Sequence, residues 1–143
     1  MKRIFLDTNI IIDFLEQREP FFKAAANVID LAAKKKIELY TSTISLLNCI
    51  YIIRKSVGYA KAVESVKLLM QIIDVSPVTK TEFASAINTE SPDVEDLTQY
   101  NSAQSVGCGC IITRNAKHFP QNGIAIISPD DFLQLMADDT STT

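Results

Sequence analysis

Glycine is scarce in this chain, with four in 143 residues, and none belongs to a glycine-rich phosphate loop. That makes a flavodoxin-like nucleotide binder the weakest of the functional readings. Histidine occurs once, at His118, and cysteine three times, at Cys49, Cys108 and Cys110. Cys108-Gly109-Cys110 would be half a zinc site, but tetrahedral zinc needs four good ligands, or three and a water, and no second cysteine pair exists. Small apolar residues at a strand start are the preferred reading of that pair. An odd cysteine count without a signal peptide also argues against a disulfide framework. No apolar run approaches the length of a membrane span. Asp7 interrupts the apolar stretch after the basic start too early for a signal peptide. The expectation is a soluble, cytoplasmic protein with no membrane segment. Linkers rich in glycine, serine or proline are missing, as are internal repeats. One domain is therefore expected over residues 1–136, with a polar, disordered tail at 137–143.

The chain is 47% hydrophobic and 22% charged, an ordinary globular composition long enough for a substantial core. Its net charge of −3 is awkward for a protein that holds nucleic acid, because phosphate contacts require clustered lysine and arginine. It is less awkward if several acids surround a divalent cation. The lysine run 34–36, Arg54-Lys55, and Arg114 with Lys117 are local basic clusters, each of the kind that usually ends a helix in solvent.

The opening stretch, "RIFLDTNIIIDFLE", places a carboxylate between two apolar runs. Asp, Thr and Asn suit the hand-over from strand to helix, where they cap free N–H groups, and Thr8 is the expected cap. Asp7 would also sit at the carboxyl end of a buried parallel strand, where open α/β sheets place their ligands. Further on, β-rich runs alternate with helical patterns: "IELYTS", "IIDVSPV", "CIITRN" and "GIAIIS" read as strands. Between them lie helices such as "YAKAVESVKLLMQI" and "VEDLTQYNSAQSVG". Thr79 to Glu82 forms a capping box, and Gly107 stops the later helix. Alternation of this kind builds βαβ units, so the expected fold is α/β: a three-layer α/β/α sandwich around a mainly parallel five-stranded sheet.

In such a sheet the carboxyl ends of the strands share one edge. The helix before the fourth strand starts at that edge too. Asp7, Asp96 and Asn115 can then converge in one cleft, and close carboxylates either raise a pKa or recruit a cation. All-oxygen ligands suit Mg²⁺ or Mn²⁺. Asn9, Asp93 and Thr113 lie near the same edge, each with a competing role as a helix cap or a support for Asp7. Arg114 and Lys117 flank the cleft and are candidate phosphate contacts. Glu95 is assigned to the surface, Asp13 to the surface or to a supporting position, and His118 to a turn rather than to base catalysis.

Three stretches carry a resemblance: "FLDTNIIIDFL", "YTSTISLLNCIYIIRK" and "DVEDLTQYNSAQSVGCGCIITRNAKHF". In this order and spacing they resemble the PIN-domain family, ribonuclease-like domains that include bacterial VapC-type toxins. The resemblance implies four polar positions around one or two Mg²⁺ or Mn²⁺ ions. Asp7 matches the first, Asp96 the third, and Asn115 the fourth. The second is normally a glutamate six residues after a Ser or Thr; here Asn48 follows Ser42. The acidic set is thus depleted. If the third helix faces the cleft with Leu47 and Ile50 in the core, Asn48 lies opposite Asp7. Charge counting then predicts that an acid at position 48 tightens cation binding. The implied activity is metal-dependent endoribonucleolytic cleavage of RNA, with an antitoxin protein as partner and a homodimer as assembly. The alternative is a catalytically weak or inactive module that binds RNA or a protein.

Overall fold

The apolar runs of the sequence become five short strands, and the longer periodic stretches become helices. The computed structural model describes residues 2–121 and 123–141. The strands are β1 (Arg3–Leu6), β2 (Glu38–Ser42), β3 (Asp74–Ser76), β4 (Cys110–Ile112) and β5 (Ala125–Ile127). They form one sheet in the order β3-β2-β1-β4-β5, with every pairing parallel. The helices are α1 (Thr8–Leu15), α2 (Phe22–Ala33), α3 (Thr43–Val57), α4 (Tyr59–Leu69), α5 (Lys80–Ile87), α6 (Val94–Ser105) and α7 (Pro129–Ser141). A 3-10 turn at Ala116–His118 follows β4. Among the described residues, no helix is long and apolar enough to cross a membrane.

Parallel strands buried on both faces need continuous apolar sequence, and β1 shows it: Ile4, Phe5 and Leu6 are all buried. Two apolar clusters divide the core. Leu6, Ile10, Ile11, Val28, Leu39, Leu46 and Ile112 belong to one, and Phe5, Leu97, Tyr100 and Ile111 to the other. Neighbouring residues of one strand thus serve opposite faces, the period-2 signature of a sheet covered on both sides. Gly107 has φ +77° just past α6, a left-handed conformation that glycine adopts at little cost. The capping box forms, with the Thr79 N–H donating to Glu82 at 3.0 Å. Burial pushes the Cys108 thiol up to about 12 and that of Cys110 up to about 11. Both therefore stay protonated at neutral pH.

Three expectations are corrected here. α7 runs to Ser141, through most of the stretch whose polarity suggested a disordered tail, while residues 142 and 143 lie outside the described ones. Asp7, not Thr8, is the N-cap of α1. Leu47 does not face the core but is 53% exposed, and Leu46, Cys49 and Ile53 are the buried residues of α3.

Candidate active site

β1 and β4 are neighbours in register, with Leu6 beside Ile112, so Asp7 and Thr113 leave the sheet side by side. The Asp7 N–H donates to Ile112 O at 3.0 Å, which carries the pairing one residue past the strand. Thr113 Oγ1 then donates to Asp7 Oδ2 at 2.7 Å, and the Thr8 N–H donates to Asp7 Oδ1 at 2.7 Å. Asp7 therefore caps its helix and also stands at the sheet edge; the two readings of the opening stretch are compatible. Burial holds its carboxyl above the usual range, against the lowering pull of these hydrogen bonds.

An open cleft of about 330 Å³ lies in front of Asp7. Its lining includes Asn9, Asp93, Glu95, Asp96, Asn115 and His118. Asp93 caps α6, accepting from the Asp96 N–H at 3.0 Å. Asp96, one turn inside, has its Oδ2 3.1 Å from His118 Nδ1. Burial first, and then the charges of Asp7 and Asp93, push Asp96 up to about 6. Asp93, Asp96 and His118 each offer a ligand atom within 4.8 Å of the others. Thr113 is buried, and its Oγ1 also accepts from the Asn115 N–H at 2.9 Å, which ties the fourth-strand end to the same corner.

The residues present fit a hard divalent cation. Four carboxylates line one cleft, and among the described residues no lysine or arginine pairs with any of them. Asn9 Oδ1 is buried and has no hydrogen-bond partner among the described residues. An orphan acceptor beside acids that no lysine or arginine neutralises offers lone pairs to a cation or its water.

Several assignments differ from the sequence reading. Glu95 is at the surface as expected but does not point away: its carboxylate accepts a 2.6 Å hydrogen bond from Asn48 Nδ2 and lines the cleft. Burial, with the charges of Asp93 and Asp7, raises its pKa. Asp13 is fully buried and bound by Arg114, whose Nε and Nη2 donate to it at 2.7 and 3.1 Å. Arg114 also lies over the Phe21 ring, 3.9 Å from its centroid, so its guanidinium is engaged away from the cleft. Lys117 lines an adjoining hollow with Pro92 and Phe119 rather than the cleft itself. Two polar cleft residues, and one beneath the cleft, go beyond the sequence reading. Arg18 sits in the turn after α1, where no periodicity signals it. Gln99 lies one helical turn beyond Asp96, a spacing that does predict it. Beneath the cleft, Ser45 Oγ donates to the buried Gln99 and accepts from Thr8 Oγ1 at 2.9 Å.

A sequence model of the PIN domain matches residues 3–117. The chain belongs to the PIN-domain family. Among curated proteins it is similar to Ribonuclease VapC1 of Aquifex aeolicus, with 27% identity over 138 residues, 93% of this chain and 94% of that protein. Among solved structures it resembles a toxin–antitoxin complex from Klebsiella pneumoniae, with TM-score 0.64 and 19% identity. That match covers 88% of this chain and 97% of that one. It also resembles VapC20 of Mycobacterium tuberculosis, a sarcin–ricin loop cleaving toxin, with TM-score 0.61 and 17% identity. There the coverage is 83% and 91%. At these identities the structural likeness concerns the fold, which is that of VapC-type PIN domains.

Proposed function

We propose that this PIN domain is an endoribonuclease that hydrolyses phosphodiester bonds of RNA at the carboxyl edge of its sheet. Asp7, Asp96 and Asn115 would hold Mg²⁺ or Mn²⁺, with Asn9 and Asp93 beside them. The observation that carries this reading is the convergence of Asp7, Asp93, Glu95 and Asp96 on one open cleft, where among the described residues no lysine or arginine pairs with any of them. Kinship with a protein named a ribonuclease supports the substrate class. When bound, such a cation supplies Lewis acidity, making water a better nucleophile and offsetting charge on the scissile phosphate.

The chain's own residues prepare that chemistry. Thr113 and the Thr8 N–H fix both oxygens of Asp7, so its remaining lone pairs point in a set direction. His118 fixes Asp96 at Oδ2. Arg18, on the rim and only loosely paired to Glu16 at 3.6 Å, takes the phosphate-facing place that the sequence assigns to Arg114 and Lys117.

A partner protein is part of the same proposal. α3 and α4 expose Leu47, Tyr51, Tyr59 and Leu68, an apolar surface suited to an antitoxin segment or to a second copy in a homodimer. A cytoplasmic location accords with such a pair. Because that surface is independent of the acids, it also favours the second reading, a module that binds RNA or protein without cleaving. Calorimetry with Mn²⁺ separates the two. The nuclease reading requires a divalent site that Asp7→Asn abolishes; a chain with no such site is the binding module.

A further inference from the structure

Of the four carboxylates in the cleft, three are held by their own surroundings. Asp7 is fixed by Thr8 and Thr113, Asp93 by the start of its own helix, and Asp96 by His118. Glu95 is held differently. It lies in the first turn of α6, and its Oε1 accepts a 2.6 Å hydrogen bond from Asn48 Nδ2 on α3. The two residues are 47 positions apart in sequence and meet beside the cleft.

The chemistry of that contact is specific. An amide donor orients a carboxylate without discharging it. A lysine or arginine at position 48 would hold the acid but cancel its charge. An acid at position 48 would set two carboxylates against each other at hydrogen-bond distance. Only a neutral donor places the carboxylate and leaves its negative charge uncompensated. One of the two oxygens is used, so the other remains open to a further partner. The same cleft also contains the orphan amide oxygen of Asn9, an acceptor with nothing to accept among the described residues.

We infer that Glu95 is a cation-facing carboxylate of the proposed metal centre and that Asn48 is its positioning residue. The acid expected on α3 is thereby supplied from α6, across the cleft. The centre is not depleted of charge at this corner but rearranged. This inference rests on the metal-centre reading. It reverses the expectation from charge counting: Asn48→Glu alone does not tighten cation binding, because it opposes Glu95 instead of adding to the set. Exchanging the pair, with Asn48→Glu and Glu95→Gln together, restores one carboxylate held by one amide.

The test is Mn²⁺ affinity by calorimetry on the full chain, read for wild type, Glu95→Gln, Asn48→Glu, the double exchange and Asp7→Asn. Circular dichroism confirms the fold of each. Glu95→Gln should weaken binding by about tenfold, the scale on which ligands and their supporting partners act. Asn48→Glu should bind no more tightly than wild type, and the exchange should recover most of the loss. Glu95→Gln keeps an oxygen that can accept from Asn48 Nδ2, so a purely structural role for that contact would leave its Mn²⁺ affinity unchanged. If Glu95→Gln binds Mn²⁺ like wild type while Asp7→Asn does not, this inference fails and the metal centre stands. If the exchange stays as weak as Glu95→Gln, the pairing fails. If Asp7→Asn also binds like wild type, the metal-centre reading itself is overturned.

Discussion

Arg114 closes on Asp13 with two hydrogen bonds, 2.7 and 3.1 Å long, joining the loop after β4 to the last turn of α1. The Asp13 side chain has no exposure to solvent, and the Phe21 ring covers the guanidinium. Removing the arginine leaves a buried, unpaired carboxylate, which costs about 3 kcal/mol. Arg114→Ala should lower the urea midpoint accordingly, at unchanged slope. Loss of RNA affinity with full stability would instead assign Arg114 to substrate.

Thr113→Val tests how Asp7 is held. The exchange keeps the shape and removes the 2.7 Å donor to Oδ2. With less hydrogen bonding to offset its burial, the Asp7 carboxyl rises further, and Mn²⁺ affinity should fall about tenfold. Thr113→Ser, which retains the hydroxyl, should restore it. Equal affinities in all three proteins would show that the Thr113 hydroxyl does not prepare Asp7 for a cation.

Without metal, the crowded acids should cost stability. Burial, Asp7 and Asp93 push Asp96 from 3.8 to about 6. Between these values the folded chain binds a proton that the unfolded chain has lost. Metal-free stability therefore falls as pH rises through that window and levels off above it. Asp96→Asn, neutral throughout, should flatten this slope and gain about 1 kcal/mol at pH 8, the scale of a relieved active site. Thermal melts in EDTA from pH 4 to 8 provide the check. A variant less stable than wild type at pH 8 would make Asp96 a structural residue.

The sequence made the sheet legible through its central strands, β1 and β4, which are buried and read as apolar runs ending on polar residues. Asp7, Asp93, Asp96 and Asn115 could be gathered at one edge from topology alone. What it concealed depended on partners far away in the chain. Asp13 looks like a surface acid until Arg114, 101 residues later, is beside it. Glu95 is solvent-exposed as its pattern suggests, but its contact with Asn48, 47 residues away, places its carboxylate at the cleft. α3 is apolar around much of its circumference, so its pattern does not say which face is buried, and Leu47 was misplaced for that reason. α7 continues past Met136 although Ala137, Asp138 and Asp139 are polar or small, because helical continuation needs no apolar face at its end.

Cleavage of a single-stranded RNA tests the central claim most directly. Wild-type protein should cut it in Mn²⁺ and fail to do so in EDTA, and Asp7→Asn, correctly folded, should cut no faster in Mn²⁺ than wild type does in EDTA. Cleavage that persists undiminished in EDTA or in Asp7→Asn would contradict the account.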